Sequence, residues 1–155
     1  MHAVKVPAPA GLRSVRGVAN LAEFEARARR VLPPAMHHYV AGYVEDGESH
    51  RRNLRSFRVH AFVPRVLVDV SARSAATSLF GKSHPYPFGI APMGSSRLIA
   101  SDGDVVLARA AARAGLPFIL SGASLTPMET VRAAGETSWF QAYIPGEPAR
   151  NMALL

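Results

Sequence analysis

"PFGIAPMGSSRLIASDGDVVLARAAARAGLPFIL", residues Pro87 to Leu120, sets two apolar, strand-like runs on either side of a helical one. FGIA (Phe88 to Ala91) and FIL (Phe118 to Leu120) show no polar alternation, as expected of strands covered on both faces. Between them Asp102 to Ala114 reads as a helix, opened by Ser101 with Asp104 and closed by Gly115, which can take a left-handed backbone. The unit then repeats. Thr126-Pro127-Met128-Glu129 combines an N-cap threonine, a proline at the first helical position and a glutamate at N3. The second helix is expected over Pro127 to Ala134, with Gly135 in the left-handed position after it, and a third strand over Trp139 to Tyr143. The order βαβαβ predicts an α/β fold with parallel strands.

In parallel sheets and barrels, ligands bind beyond the carboxyl ends of the strands. Three loops would lie there: APMGSS (91–96), LSGASLT (120–126) and QAYIPG (141–146). Each is rich in small residues, hydroxyls, amides or free backbone donors. One such loop alone reads as a plain strand-to-helix turn, whereas three on one face read as a binding site. Gly94 lets the backbone approach a flat ligand, and Ser95 and Ser96 supply donors.

Upstream the pattern is looser. Residues 1–19 read as a flexible N-terminal arm, 20–86 as lead-in helices and short strands, and 87–155 as the first βα units. A helix begins at Asn20, paired with Glu23, and carries Leu21, Phe24, Ala28, Val31 and Leu32 on one face until Pro33-Pro34 stops it. A second short helix is expected over Ala35 to Ala41. Arg51, Arg52, Arg55 and Arg58 form the densest basic cluster, FVPRVLVDV (62–70) is apolar and β-branched, and a short strand is expected around Thr77 to Phe80.

Composition narrows the function. The 155 residues are 48% hydrophobic and 19% charged, enough for one globular domain. No apolar run approaches the length of a membrane span and the start lacks a secretory apolar region, so a cytoplasmic protein is expected. The absence of cysteine excludes disulfides, thiolate catalysis and Cys-based metal sites. The 18 basic residues against 11 acidic ones are scattered, without a stacking platform or nucleic-acid motif, so no nucleic-acid partner is expected. His37 and His38 are adjacent on a helix and do not share a face, so no metal is expected.

LPPAMHHYVAG, NLRSF, PRVLVDVS, GIAPMG, ARAAARAGLPFILS and SWFQAY, in this order, resemble the FMN-dependent L-2-hydroxy acid oxidases and dehydrogenases, the group of glycolate oxidase and the lactate and mandelate dehydrogenases. The resemblance covers roughly residues 20 to 155. It implies a (β/α)8 TIM barrel, a fold of about 250 residues, of which this chain would be the N-terminal portion with about three βα units plus lead-in helices. It also implies FMN as cofactor and oxidation of a small 2-hydroxy acid by hydride transfer to flavin N5. The family's general-base histidine, its lysine near the flavin, its carboxylate-binding arginine and its main phosphate segment would follow in later strands. The 155 residues alone are therefore expected to be inactive, to call for a complementing C-terminal polypeptide, and to form a homo-oligomer only in the complete enzyme. The rival readings are a non-catalytic barrel fragment acting through assembly and a different FMN barrel enzyme.

Residue by residue, the resemblance implies that Tyr39 binds the substrate carboxylate and that Tyr143 stands beside the reacting hydroxyl. Ala91, Pro92, Met93 and Gly94 would face the isoalloxazine ring, with Ser121 and Gln141 as its polar contacts. On the residues alone Tyr39 reads as a core-edge tyrosine rather than a ligand contact, and Gln141 nearly as readily as an amide with a structural bond. Gly94 and Ala123 would line the substrate pocket. Family members acting on glycolate commonly carry an alanine and a bulky aromatic there, so the smaller pair implies a mandelate-like or long-chain substrate. Two departures from the family pattern are Tyr43, where small residues are usual, and Ala100-Ser101 in place of His-Pro.

Overall fold

A computed structural model describes residues 17–135, 138–144 and 146, so residues 1–16 of the expected arm and the stretch from 147 onward lie outside the described residues. The chain divides into two units, Met1–Val66 and Leu67–Leu155.

The described residues of the first unit form three helices, α1 (Ala22–Val31), α2 (Pro34–Ala41) and α3 (Glu48–Ser56), none with a buried residue. Glu23 accepts the Ala19 N–H at 3.3 Å and the Asn20 side-chain amide at 3.1 Å, so the expected pair meets, but side chain to side chain: the N-cap of α1 is Leu21, which carries no side-chain cap bond. Of the arginine cluster, Arg58 lies in the turn just beyond α3, and Arg51, Arg52 and Arg55 lie on α3 itself. Its first-turn Glu48 accepts from Arg51 at 3.0 Å and from Arg52 at 2.9 Å, pairs at i,i+3 and i,i+4 that support an isolated helix. Tyr43 has a packing reason. Its ring lies where a Cβ on Gly47 would stand, and it stacks on His50 with centroids 5.4 Å apart.

The second unit begins with a hairpin of β1 (Thr77–Leu79) and β2 (Lys82–His84); only its first strand was expected. FVPRVLVDV forms no strand: Pro64 interrupts it, and Phe62, Val63, Val66 and Leu67 are exposed. Within it the Asp69 carboxylate accepts the Ser71 N–H at 2.9 Å, which holds its pKa below the ordinary value.

The βαβ core then follows as α4 (Gly103–Ala114), β3 (Phe118–Ser121), α5 (Met128–Ala134) and β4 (Ser138–Gln141). β3 and β4 pair in parallel, with Phe118 opposite Ser138 and Ser121 opposite Gln141. The expected strand Phe88 to Ala91 shrinks to one parallel bridge, Ile90 to Phe118. The Ile90 N–H donates to Pro117 O at 2.9 Å and its carbonyl accepts from Ile119 at 3.0 Å, while Pro87 and Pro92 on either side limit further laddering. Phe118 and Leu120 point into a core shared with Ala108, Ala111 and Val131. Ile119 and Trp139 line the other side, where they and the hairpin border an apolar cleft of about 350 Å³ that Ile90, itself packed against the core, also reaches. Phe80 meets Trp139 edge-on, and the buried His84 places Nδ1 3.3 Å from Gly115 O, tying the hairpin to the end of α4.

Two helix-end expectations divide. Gly115 has φ 68° and closes α4 in the left-handed conformation. Gly135 is extended at φ −164° and serves packing instead: a Cβ there would stand 2.7 Å from Ala108 O, so glycine lets α5 end against α4. Thr126 does not cap α5, whose N-cap residue is Pro127, and its buried hydroxyl makes no hydrogen bond. No helix among the described residues is long and apolar enough to cross a membrane.

Among the described residues five buried apolar side chains form the core, whereas Tyr86, Phe88 and Phe140 remain exposed on β4 and the segment leading to Ile90. An apolar surface of this kind on a short parallel sheet binds hydrophobic dyes and associates. We predict that the isolated 155-residue chain binds anilinonaphthalene sulfonate and lacks a sharp thermal transition; a dye-silent monomer with a cooperative transition would contradict this.

Candidate functional site

The parallel ladder puts the carboxyl ends of Ile90, β3 and β4 on one side, and the three glycine-, serine- and glutamine-bearing loops with them. The first two loops touch: Ser95 N–H donates to Ala123 O at 3.0 Å, and a Cβ built on Gly94 would lie 3.2 Å from Ala123 Cβ and 3.9 Å from Ser121 Oγ. Ser95 itself has φ 55°, so a left-handed turn directs the chain from this contact into a short 3-10 turn at Ser96–Leu98. Residues 91–94 are exposed, and Met93 offers half of its surface.

The second and third loops are joined by polar bonds. Ser121 is only 4% exposed, and its hydroxyl donates to Gln141 Oε1 at 3.3 Å while accepting the Ala123 N–H at 3.1 Å. Gly122 N–H also donates to Gln141 Oε1, at 3.4 Å. Two protein donors on the amide oxygen fix which way the amide faces. Nε2 gives one hydrogen to Ala142 O at 3.1 Å and has a second to offer a ligand. Gly122 is required by crowding, since a Cβ there would stand 2.7 Å from Gln141 O and 3.0 Å from the Tyr143 ring. Tyr143 is thereby brought beside the cluster, 68% exposed.

Of the residues singled out in the sequence, the second unit thus brings together Ala91, Pro92, Met93, Gly94, Ser121, Ala123, Gln141 and Tyr143. Tyr39 belongs to the first unit, where its ring is exposed on α2. Sequence reasoning missed Ser124 and Asp104. Asp104, expected to cap α4 with Ser101, is 1% exposed and receives the Ser124 hydroxyl at 2.6 Å. A loop serine after a glycine and a buried carboxylate in a first helical turn were the available signals.

The cluster fits a flat aromatic cofactor. Gly94 and Gly122 let the loops approach closely, residues 91–94 are exposed, and Gln141 Nε2 keeps one hydrogen beyond its bond to Ala142 O. Among the described residues no group of three or more His, Asp or Glu is placed to hold a metal ion.

The model of the family described as FMN-dependent dehydrogenase matches residues 28–155. L-lactate dehydrogenase of Yersinia pestis (strain Pestoides F) is 38% identical over 123 residues, covering 79% of this chain and 32% of that protein. The chain thus spans about a third of the length of the curated relatives it matches. A soluble mutant of the membrane-associated (S)-mandelate dehydrogenase from Pseudomonas putida superposes with TM-score 0.76 at 36% identity, over 81% of this chain and 36% of that one. Mandelate oxidase bound to (S)-2-phenylpropionate gives TM-score 0.80 at 30% identity, over 86% and 40%. Another mandelate oxidase structure carries a monooxide FMN adduct, with TM-score 0.78 at 28% identity, over 85% and 42%.

Removing the Gln141 acceptor strands the buried Ser121 hydroxyl and the Gly122 amide. In an enzyme with the barrel completed, Gln141→Leu is expected to lower unfolding stability by about 1–3 kcal/mol, and Gln141→Glu, which still accepts both bonds, by less. Denaturant titration of the two variants checks the difference.

Proposed function

The chain belongs to the FMN-dependent dehydrogenase family, and from that premise we propose that the enzyme it forms part of uses FMN to oxidise an L-2-hydroxy acid to the 2-oxo acid. The observation that carries this reading is the meeting of Gly94, Ala123, Ser121 and Gln141 at the carboxyl ends of parallel strands. FMN, when bound, supplies the hydride acceptor for the substrate C2 hydrogen.

This chain's residues hold and orient. Backbone 91–94 and the Met93 side chain form the wall for the flat ring. The remaining Nε2 hydrogen of Gln141 and the Ser121 hydroxyl it orients are the polar contacts. Tyr143, beside Gly122, offers its hydroxyl to the reacting hydroxyl of the substrate, and Tyr39 offers its own to the carboxylate. The proton of the substrate hydroxyl goes to a base supplied by later barrel strands, which also bring the arginine for the carboxylate. Those strands come from further chain or from a complementing C-terminal polypeptide, and the assembled enzyme is read as a cytoplasmic homo-oligomer.

Relatives named for lactate and for mandelate both occur, so membership does not choose the substrate. The small pair Gly94 and Ala123 supports a mandelate-like or long-chain substrate. The two residues touch, a Cβ built on Gly94 standing 3.2 Å from Ala123 Cβ, and the reading rests on neither carrying a side chain larger than a methyl that would crowd a substrate ring beside them. Burying an aromatic substrate side chain there contributes on the order of 2–3 kcal/mol, which glycolate forgoes.

The 155 residues alone are expected to show no turnover of lactate, glycolate or mandelate, since the base and clamp lie elsewhere; measurable turnover by the purified chain would defeat this. In the complete enzyme, kcat/KM is expected to favour mandelate over glycolate, and Ala123→Trp to move the preference back toward glycolate. A glycolate preference of about tenfold, some 1.4 kcal/mol, would refute the assignment of Gly94 and Ala123 to the pocket.

A further inference from the structure

Asp104, in the first turn of α4, is almost wholly buried at 1% exposure. A carboxylate so placed is favoured by the helix N-terminus yet still needs donors. It receives one from a neighbouring loop: Ser124 Oγ donates to Asp104 Oδ2 at 2.6 Å. The hydroxyl's other acceptor within reach, Thr126 O, is 3.4 Å away, so its one hydrogen goes to the shorter, charge-assisted bond. The same oxygen accepts the Thr126 N–H at 3.0 Å, and Ser124 N–H donates to Ser121 O at 3.0 Å. Ser124 is thereby pinned on both sides, and the turn over Ser121, Gly122 and Ala123 closes against it.

From this anchor the bonds continue into the cradle. Ala123 O accepts from Ser95, Ala123 N–H donates to Ser121 Oγ, and Ser121 Oγ donates to Gln141. We propose that Asp104 and Ser124 are positioning residues, whose hydrogen bond sets Ala123 against Gly94 and so fixes the ligand-facing surface of the loop. The proposal rests on the reading of this cluster as the flavin site. Neither residue touches the cofactor, so both act through Ala123, Ser121 and Gln141.

The test uses the barrel-complete enzyme with Asp104→Ala, Ser124→Ala, Ser124→Thr and the double alanine variant. Hydrogen exchange of the apo form is expected to show lost protection at the Ser95, Ala123 and Thr126 amides in each alanine variant, with Ile119 and Leu120 unchanged. Loosening the loop is expected to raise the FMN dissociation constant on the order of tenfold to a hundredfold. Ser124→Thr, which keeps the hydroxyl, should restore both readouts, and the double variant should be no worse than either single one. Unchanged protection in Ser124→Ala, failure of threonine to restore it, or additive effects in the double variant would overturn the proposal. Ser124→Ala keeps the test decisive if Asp104→Ala fails to fold. A wild-type enzyme that binds no FMN would overturn the flavin reading and its consequence for the cofactor, while the exchange pattern alone would still decide whether Asp104 holds the loop.

Discussion

Parallel pairing of Ile90, β3 and β4 is the constraint from which the rest follows. Strands that run the same way deliver their carboxyl ends, and the loops after them, to one side of the sheet. Register does the remainder. With Ser121 opposite Gln141, the last paired residues are the two that exchange a side-chain hydrogen bond, and the next residues, Gly122 and Ala123, stand over that bond. A slip of one residue would exchange the faces and send Ser121 toward the core occupied by Phe118, Leu120 and Val131.

Small residues then decide how closely these loops approach. Gly94 against Ala123, Gly122 against Gln141 and Gly135 against Ala108 are contacts in which a side chain on the glycine would meet backbone or a neighbouring methyl. In the first two the result is an open surface above a tightly bonded floor. The third seats α5 on α4, and α4 carries the carboxylate that holds the floor in place. Packing on the helical side of the sheet and chemistry on its loop side are thus linked through one helix.

Much of this was legible in the sequence. The helix expected over 102–114 and found over 103–114, the left-handed Gly115 and the strand at Phe118 followed from apolar runs and the closing glycine, because those signals are local, although the Ser101–Asp104 cap is not made. The gathering of the three loops followed from the parallel order, and the identity of the ligand only from family resemblance. What escaped was non-local or hidden by composition. Helix α3 carries no apolar stripe that stands out among its arginines, and its support comes from Glu48 ion pairs. β2 is a three-residue strand of Lys82, Ser83 and His84, without β-branched residues. Gly135 and Thr126 matched a capping pattern, yet tertiary contact assigned Gly135 to packing and left Thr126 without a cap bond. Asp104 likewise looked like a cap, since nothing in its own helix announces a partner twenty residues away in sequence.

The central claim is that this loop cluster holds FMN. A crystal structure of the barrel-complete enzyme with its native cofactor tests it most directly. The account predicts FMN with its isoalloxazine ring in van der Waals contact with residues 91–94 and its polar edge within hydrogen-bond distance of Ser121 and Gln141. A ring seated elsewhere, or FAD in place of FMN, would contradict it.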